Sequence, residues 1–255
     1  MLSRVLAAGR RRLSTAAAGP SFGVGPDLVN SLRSMGILKP NAIQAEAVPQ
    51  ALMGRDVLCC AQTGSGKTLT FLLPMMQRLS ERPNRREAPD GDPRSSCPEA
   101  IILVPNRELG EQHERVFRDL AEQLPFTPTM LRMTGGERFA PQKRALRAGN
   151  VRLLIATPER LLYHIGAGNM RLDCLSQLAL DEADALLCAA DGITRETDEV
   201  LQKLPRRLPQ VVLACATLTA AHEEVARKWF PKITRVSHKG VLVPTLRQVP
   251  LALQT

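Results

Sequence analysis

Val57-Leu58-Cys59-Cys60-Ala61-Gln62-Thr63-Gly64-Ser65-Gly66-Lys67-Thr68 is an apolar run, a glycine-containing loop and the start of a second apolar segment that continues from Leu69 to Leu79. A short apolar run followed by a loop and a longer apolar segment reads as strand, loop and helix, the setting in which such a loop binds phosphate. Gly64 and Gly66 allow backbone N–H groups to turn inward around phosphate oxygens, and the helix N-terminus adds positive potential. Lys67 is placed for the β and γ phosphates and the Thr68 hydroxyl for magnesium, so Ala61, Gln62, Thr63, Gly64, Ser65, Gly66, Lys67 and Thr68 are expected to hold a nucleoside triphosphate. The strict pattern opens on glycine; here the first position is Ala61.

Working outward, further apolar runs occur at Ile101 to Val104, Val151 to Ala156, Leu178 to Leu180 and Val211 to Ala214. Continuous apolar runs of this length, separated by helical stretches, predict strands buried on both faces of a sheet. Between two of them, Leu109, Val116, Phe117, Leu120 and Leu124 fall near helical spacing and Pro125 ends the run, which predicts a helix over 107–124. The expected fold class is therefore α/β, a doubly wound, mostly parallel sheet with helices on both faces and ligands at the carboxyl ends of its strands. Residues 80–98, rich in Pro, Arg, Asp, Glu and Ser, read as an exposed loop or insertion.

The run ending at Leu180 leads into Asp181-Glu182-Ala183-Asp184, which puts carboxylates at the sheet edge where the phosphates should lie. Asp181 is expected to hold magnesium, directly or through water, and Glu182 to orient or deprotonate an attacking water. Taken alone, the same four residues would also serve as a solvated helix start. Lys67 and Thr68 upstream favour the catalytic reading.

The formal charge of +9 and pI near 9.7 point to a polyanionic partner. Arg4, Arg10, Arg11 and Arg12 lie in a leader without acidic residues before Asp27, and setting aside these four charges takes +9 to +5. An Arg-rich, Ser-containing, acid-poor leader predicts a transit peptide over residues 1–20 and a mitochondrial address; a plastid address, or a basic RNA-touching tail on a cytoplasmic or nuclear protein, is the alternative. Its apolar run is too short and interrupted for a membrane span. The six cysteines show neither metal-ligand spacing nor a disulfide framework, so Cys59 and Cys60 are expected as core residues in a reducing compartment.

The acidic run at 181–184 together with the loop resembles the DEAD-box RNA helicases, over residues from about Phe22 to Thr255. The resemblance implies a RecA-like ATP-binding domain over 21–240 and the start of an interdomain linker over 241–255. Pro40-Asn41-Ala42-Ile43-Gln44 is similar to the Q motif, which implies an adenine contact for Gln44, with Phe22 as an upstream stacking aromatic. Pro105-Asn106-Arg107-Glu108-Leu109, Gly135-Gly136 and Thr157-Pro158-Glu159-Arg160 resemble segments that line the RNA path, implying backbone contacts from Pro105, Arg107, Gly135, Gly136, Thr157 and Arg160. Cys215-Ala216-Thr217 stands where the family has a Ser-Ala-Thr segment, which implies a coupling role for Cys215, Thr217 and Asp184. Asn106 in place of Thr, Glu159 in place of Gly and the Cys215 thiol bear on RNA coupling more than on ATP binding. The implied function is Mg-ATP hydrolysis coupled to RNA binding and duplex remodelling by a monomer. The family's second RecA-like domain has no counterpart in the sequence, so poor turnover is expected unless that domain in cis, or an activating partner in trans, completes the site. A catalytically weak ATP- and RNA-binding adaptor is the alternative.

Overall fold

The computed structural model describes residues 21–81, 96–187, 194–207 and 209–237. The leader, the linker and most of the 80–98 insertion lie outside the described residues. In chain order the elements are α1 (Pro26–Ser34), α2 (Ala42–Leu52), β1 (Val57–Cys60), α3 (Thr68–Ser80), β2 (Ala100–Leu103), α4 (Arg107–Ala121), β3 (Met130–Met133) and α5 (Phe139–Arg147). There follow β4 (Leu153–Ala156), α6 (Pro158–Gly166), β5 (Gln177–Asp181), α7 (Ala183–Leu187), α8 (Arg195–Gln202), β6 (Gln210–Cys215), α9 (Ala220–Trp229) and β7 (Thr234–Ser237).

The strands form one sheet in the order β3-β4-β2-β5-β6-β1-β7. Every neighbouring pair is parallel, which is the doubly wound α/β architecture expected. Successive side chains along a strand point to opposite faces. Val57, Cys59, Ala100, Ile102, Leu153 and Ile155 accordingly join Leu32 of α1, Val48 of α2, Phe71 of α3 and Phe117 of α4 in one core. Leu58, Ile101, Leu103, Leu154 and Ala156 join Leu146 of α5, Leu161 of α6, Leu186 of α7, Val200 of α8 and Ala226 of α9 in the other. Both faces are covered, and each fully buried Leu or Ile contributes about 1.5–3 kcal/mol. This is why the inner strands are apolar without alternation.

Two strands depart from expectation because they are edges. In β3, Met130, Leu131 and Arg132 are only partly buried, and in β7 Arg235 is exposed while Val236 is buried. Neither strand therefore has the uninterrupted apolar run of a central one. The helix predicted to reach residue 124 ends at Ala121, and the Leu124 N–H closes a turn on the Ala121 carbonyl at 3.1 Å.

Cys97 and Cys174 form a disulfide with Cα atoms 5.4 Å apart, a pairing the expectation of unpaired thiols did not include. The two are 77 residues apart and meet only because β2 and β5 are neighbours. Cys59 is fully buried, as expected, and burial pushes its thiol up to about 12. It is a small apolar core residue rather than a nucleophile.

Candidate functional site

The loop from Ala61 to Lys67 joins the carboxyl end of β1 to the N-terminus of α3. Gly64 and Gly66 carry φ of 79° and 75°, the left-handed region that turns successive N–H groups to one side. Ala61 has no such backbone, and its methyl is buried. The first position therefore does not need glycine. Lys67 folds its ammonium over the loop, donating to the Ala61 carbonyl at 2.5 Å and the Gln62 carbonyl at 3.0 Å. The Ser65 hydroxyl oxygen is buried without a hydrogen-bond partner, a polar atom left for a group seated in the loop.

Upstream residues brace this loop. Asn41 caps α2 in a reciprocal box with Gln44: its side chain accepts from the Gln44 N–H at 3.1 Å, and Gln44 Oε1 accepts from the Asn41 N–H at 3.0 Å. The free ends of both amides reach the loop, Asn41 Nδ2 to the Ser65 carbonyl at 2.7 Å and Gln44 Nε2 to the Gly66 carbonyl at 3.0 Å. Gln44 is buried, and both ends of its amide are engaged with protein. Phe22 is 5% exposed within the core, which leaves little ring face for a base.

The acidic run sits at the carboxyl end of β5, and β6 lies between β5 and β1. Asp181 Oδ1 accepts from the Glu182 N–H at 3.0 Å, and His113 Nε2 stands 2.8 Å from Asp181 Oδ2. Glu182 has φ of 50°, the one non-glycine in the left-handed region among the described residues. Such a backbone costs of order 1–3 kcal/mol and tends to persist where function demands it. Asp184, at the start of α7, accepts from both the N–H and the hydroxyl of Thr217, at 3.0 and 2.8 Å. Burial pushes its carboxyl up, but these Thr217 bonds and those of nearby backbone outweigh it and hold the group below the usual range.

Cys215 lies elsewhere. Its Sγ donates to the Cys59 carbonyl at 3.5 Å inside the sheet, and burial raises its pKa strongly. Thr217, rather than Cys215, makes the contact with Asp184.

Pro105, Arg107, Gly135 and Thr157 line a single cavity of about 450 Å³, together with Ala185 and Leu186 from α7 and Glu196 from α8. Gly136 turns beside it with φ of 77°, and Arg160 donates to the Glu137 carbonyl at 3.1 Å behind the same loop. The atypical residues have local work. The Asn106 side chain caps α4 by accepting from the Leu109 N–H at 2.9 Å. Glu159 stands in the first turn of α6, where a negative charge complements the helix dipole.

A DEAD/DEAH box helicase family model matches residues 41–225. The chain belongs to this family. It is 34% identical over 229 residues to the ATP-dependent RNA helicase DeaD of Escherichia coli strain K12, covering 89% of this chain and 34% of that protein. It is 33% identical, over 89% of this chain and 35% of the relative, to the DeaD protein of Buchnera aphidicola subsp. Acyrthosiphon pisum. It is likewise 33% identical to the human protein named probable ATP-dependent RNA helicase DDX59, of which it covers 34%. The chain thus spans about a third of the length of these relatives.

Set on the family's RecA-like sheet, the remaining surprise is His113. It occupies the inward stripe of α4 with Gly110, Phe117 and Leu120. A lone histidine at a core position was its only sequence signal, and nothing local linked it to Asp181, 68 positions on. No group of three or more His, Cys, Asp or Glu suited to a metal occurs among the described residues.

Proposed function

We propose that this chain binds Mg-ATP in the 61–68 loop, hydrolyses its γ-phosphate, and couples that site to RNA held along the cavity of Arg107, Gly135 and Thr157. The observation that carries the reading is the strand order: β1, β6 and β5 are adjacent, so Lys67, Thr217 and Asp181 leave the same edge of the sheet from neighbouring strands. In an open parallel sheet ligands bind at that edge.

The residues fit the magnesium nucleotide. The two left-handed glycines and the unpartnered Ser65 hydroxyl form an N–H-rich cradle, and Lys67 can exchange the Ala61 and Gln62 carbonyls for phosphate oxygens. Thr68 and Asp181 supply the oxygen donors that magnesium favours, with water completing its shell. Bound there, the ion would neutralise charge on the phosphates. Lys67 would stabilise charge building on the transferring group, and Glu182 would position the attacking water and take its proton. Gln44, by bonding Gly66 and Asn41, would link adenine occupancy to loop geometry once its amide turns toward a base. On the RNA side, Arg107, Arg160, Pro105, Thr157 and the Gly135-Gly136 turn would hold the phosphodiester backbone, which carries no sequence information.

Full turnover would need arginines from a second RecA-like unit, in cis or in trans, since such a group is worth roughly 10³–10⁵ in rate. Residues 1–20 are proposed as a mitochondrial address; a fluorescent fusion to residues 1–26 that stays cytosolic would remove that reading. The test of the central proposal is Lys67→Ala. It should abolish Mg-ATP binding while circular dichroism and melting stay at wild-type values, and an unchanged nucleotide affinity would reject the loop assignment. Binding without RNA-stimulated turnover in the wild type, even with a second unit supplied, would instead favour an adaptor.

A further inference from the structure

His113 has no exposed surface, and neither ring nitrogen has an aligned hydrogen-bond partner. Its one close polar contact is with Asp181, Nε2 to Oδ2 at 2.8 Å, off the N–H axis. Phe71 meets the ring edge-on at 5.5 Å between centroids. Burying an imidazole without good hydrogen bonds costs about 1–3 kcal/mol, whereas leucine would fill the same stripe at no such cost. The contact with Asp181 is what leucine could not supply.

That neighbour is held from two directions. The Glu182 N–H donates to Oδ1 at 3.0 Å, while His113 rises from α4 and stands 2.8 Å from Oδ2. A carboxylate has about four acceptor positions, so two fixed contacts leave capacity on both oxygens. We propose that His113 is a positioning residue for Asp181, locking the carboxylate rotamer so that its remaining acceptor positions are preset for the hydrated magnesium ion of the nucleotide. The contact is the carboxylate counterpart of the outer-shell partners that orient metal ligands, whose loss weakens metal affinity about 10- to 100-fold.

The inference rests on the magnesium site proposed above, so the two are tested on separable readouts. Affinity for a fluorescent ATP analogue is measured on the full chain across a magnesium titration and again in EDTA, for the wild type, His113→Leu, His113→Met and His113→Gln. Both apolar variants should need about 10- to 100-fold more magnesium for half-maximal effect. Their affinity in EDTA should stay within about twofold of wild type and their melting temperature should not fall, as an apolar side chain suits this pocket. Glutamine, whose Nε2 reaches about as far as that of the ring, should restore most of the magnesium response. A wild-type magnesium midpoint in the apolar variants, equal losses with and without the metal, a marked drop in their melting temperature, or failure of glutamine to rescue would each overturn the positioning role. Nucleotide binding by the wild type that ignored magnesium would reject the site itself.

Discussion

Gly66→Ala separates backbone conformation from close packing in the loop over 61–67. At φ of 75° an L side chain costs about 1–2 kcal/mol. An added Cβ would also lie 2.5 Å from Gln44 Nε2 and 3.1 Å from Asn41 Nδ2, so the Gln44 amide must withdraw from its bond to the Gly66 carbonyl. That loss adds about 0.5–1.5 kcal/mol. The total is about 1.5–3.5 kcal/mol, which lowers the melting temperature of a domain this size by roughly 3–14 °C. Gly64→Ala is the internal control, because φ there is 79° but no atom lies within 4 Å of the added Cβ. It should show the conformational part alone. Adding Gln44→Ala to Gly66→Ala should return part of the extra loss, a coupling readable in a double-mutant cycle. Thermal melts, with fluorescent-nucleotide titrations alongside, provide the measurement. If Gly66→Ala melts no lower than Gly64→Ala and keeps its nucleotide affinity, the bracing of the loop by Gln44 is refuted.

Three further outcomes follow from neighbouring contacts. Glu182→Gln should keep Mg-ATP affinity and remove phosphate release; persistent release would exclude Glu182 as the base. Thr217→Val removes the hydroxyl that helps hold Asp184 below the usual carboxylate range. That stabilisation is present above the unfolded carboxyl pKa of about 3.9 and is lost as pH falls through the lowered folded value, so acid unfolding of the variant in urea melts should begin at higher pH. Burial, with a smaller contribution from Arg160, lowers His164 to about 4. Its neutral form therefore stabilises the fold fully above the unfolded value of about 6.5, and stability erodes as pH drops from there towards 4. His164→Gln should flatten that slope, and parallel wild-type and variant curves would contradict it.

The central strands were legible because burial on both faces leaves an unbroken apolar run, as in Ile101 to Val104. The edge strands β3 and β7 were not, since one charged residue in each, Arg132 or Arg235, suffices to break the pattern. The 61–67 loop was legible because its glycines are demanded by backbone geometry at fixed spacing. Gln44 could be found by spacing, but its bonds to Gly66 and Asn41 depend on α2 packing on α3. Contacts such as His113–Asp181 and Cys97–Cys174 join distant positions across the sheet. No local pattern encodes them.

Whether the proposed nucleotide and RNA sites communicate turns on α7. Asp184, at its first turn, is bonded to Thr217 on the segment after β6, and the Ala61 N–H donates to the Cys215 carbonyl at 3.2 Å on the same strand. Ala185 and Leu186, the next residues of α7, line the cavity that also holds Arg107 and Thr157. One short helix thus touches both proposed sites through residues adjacent in sequence. Contiguity of this kind shows a physical route, whereas coupling is a free energy that must be measured. Asp184→Ala should leave Mg-nucleotide affinity within a few-fold, since Asp184 is not placed on the phosphates, yet abolish the change that nucleotide makes in affinity for a labelled single-stranded RNA. By reciprocity, RNA should then cease to alter nucleotide affinity. If fluorescence anisotropy shows the same nucleotide effect in the variant as in the wild type, α7 is not the element that links the two sites.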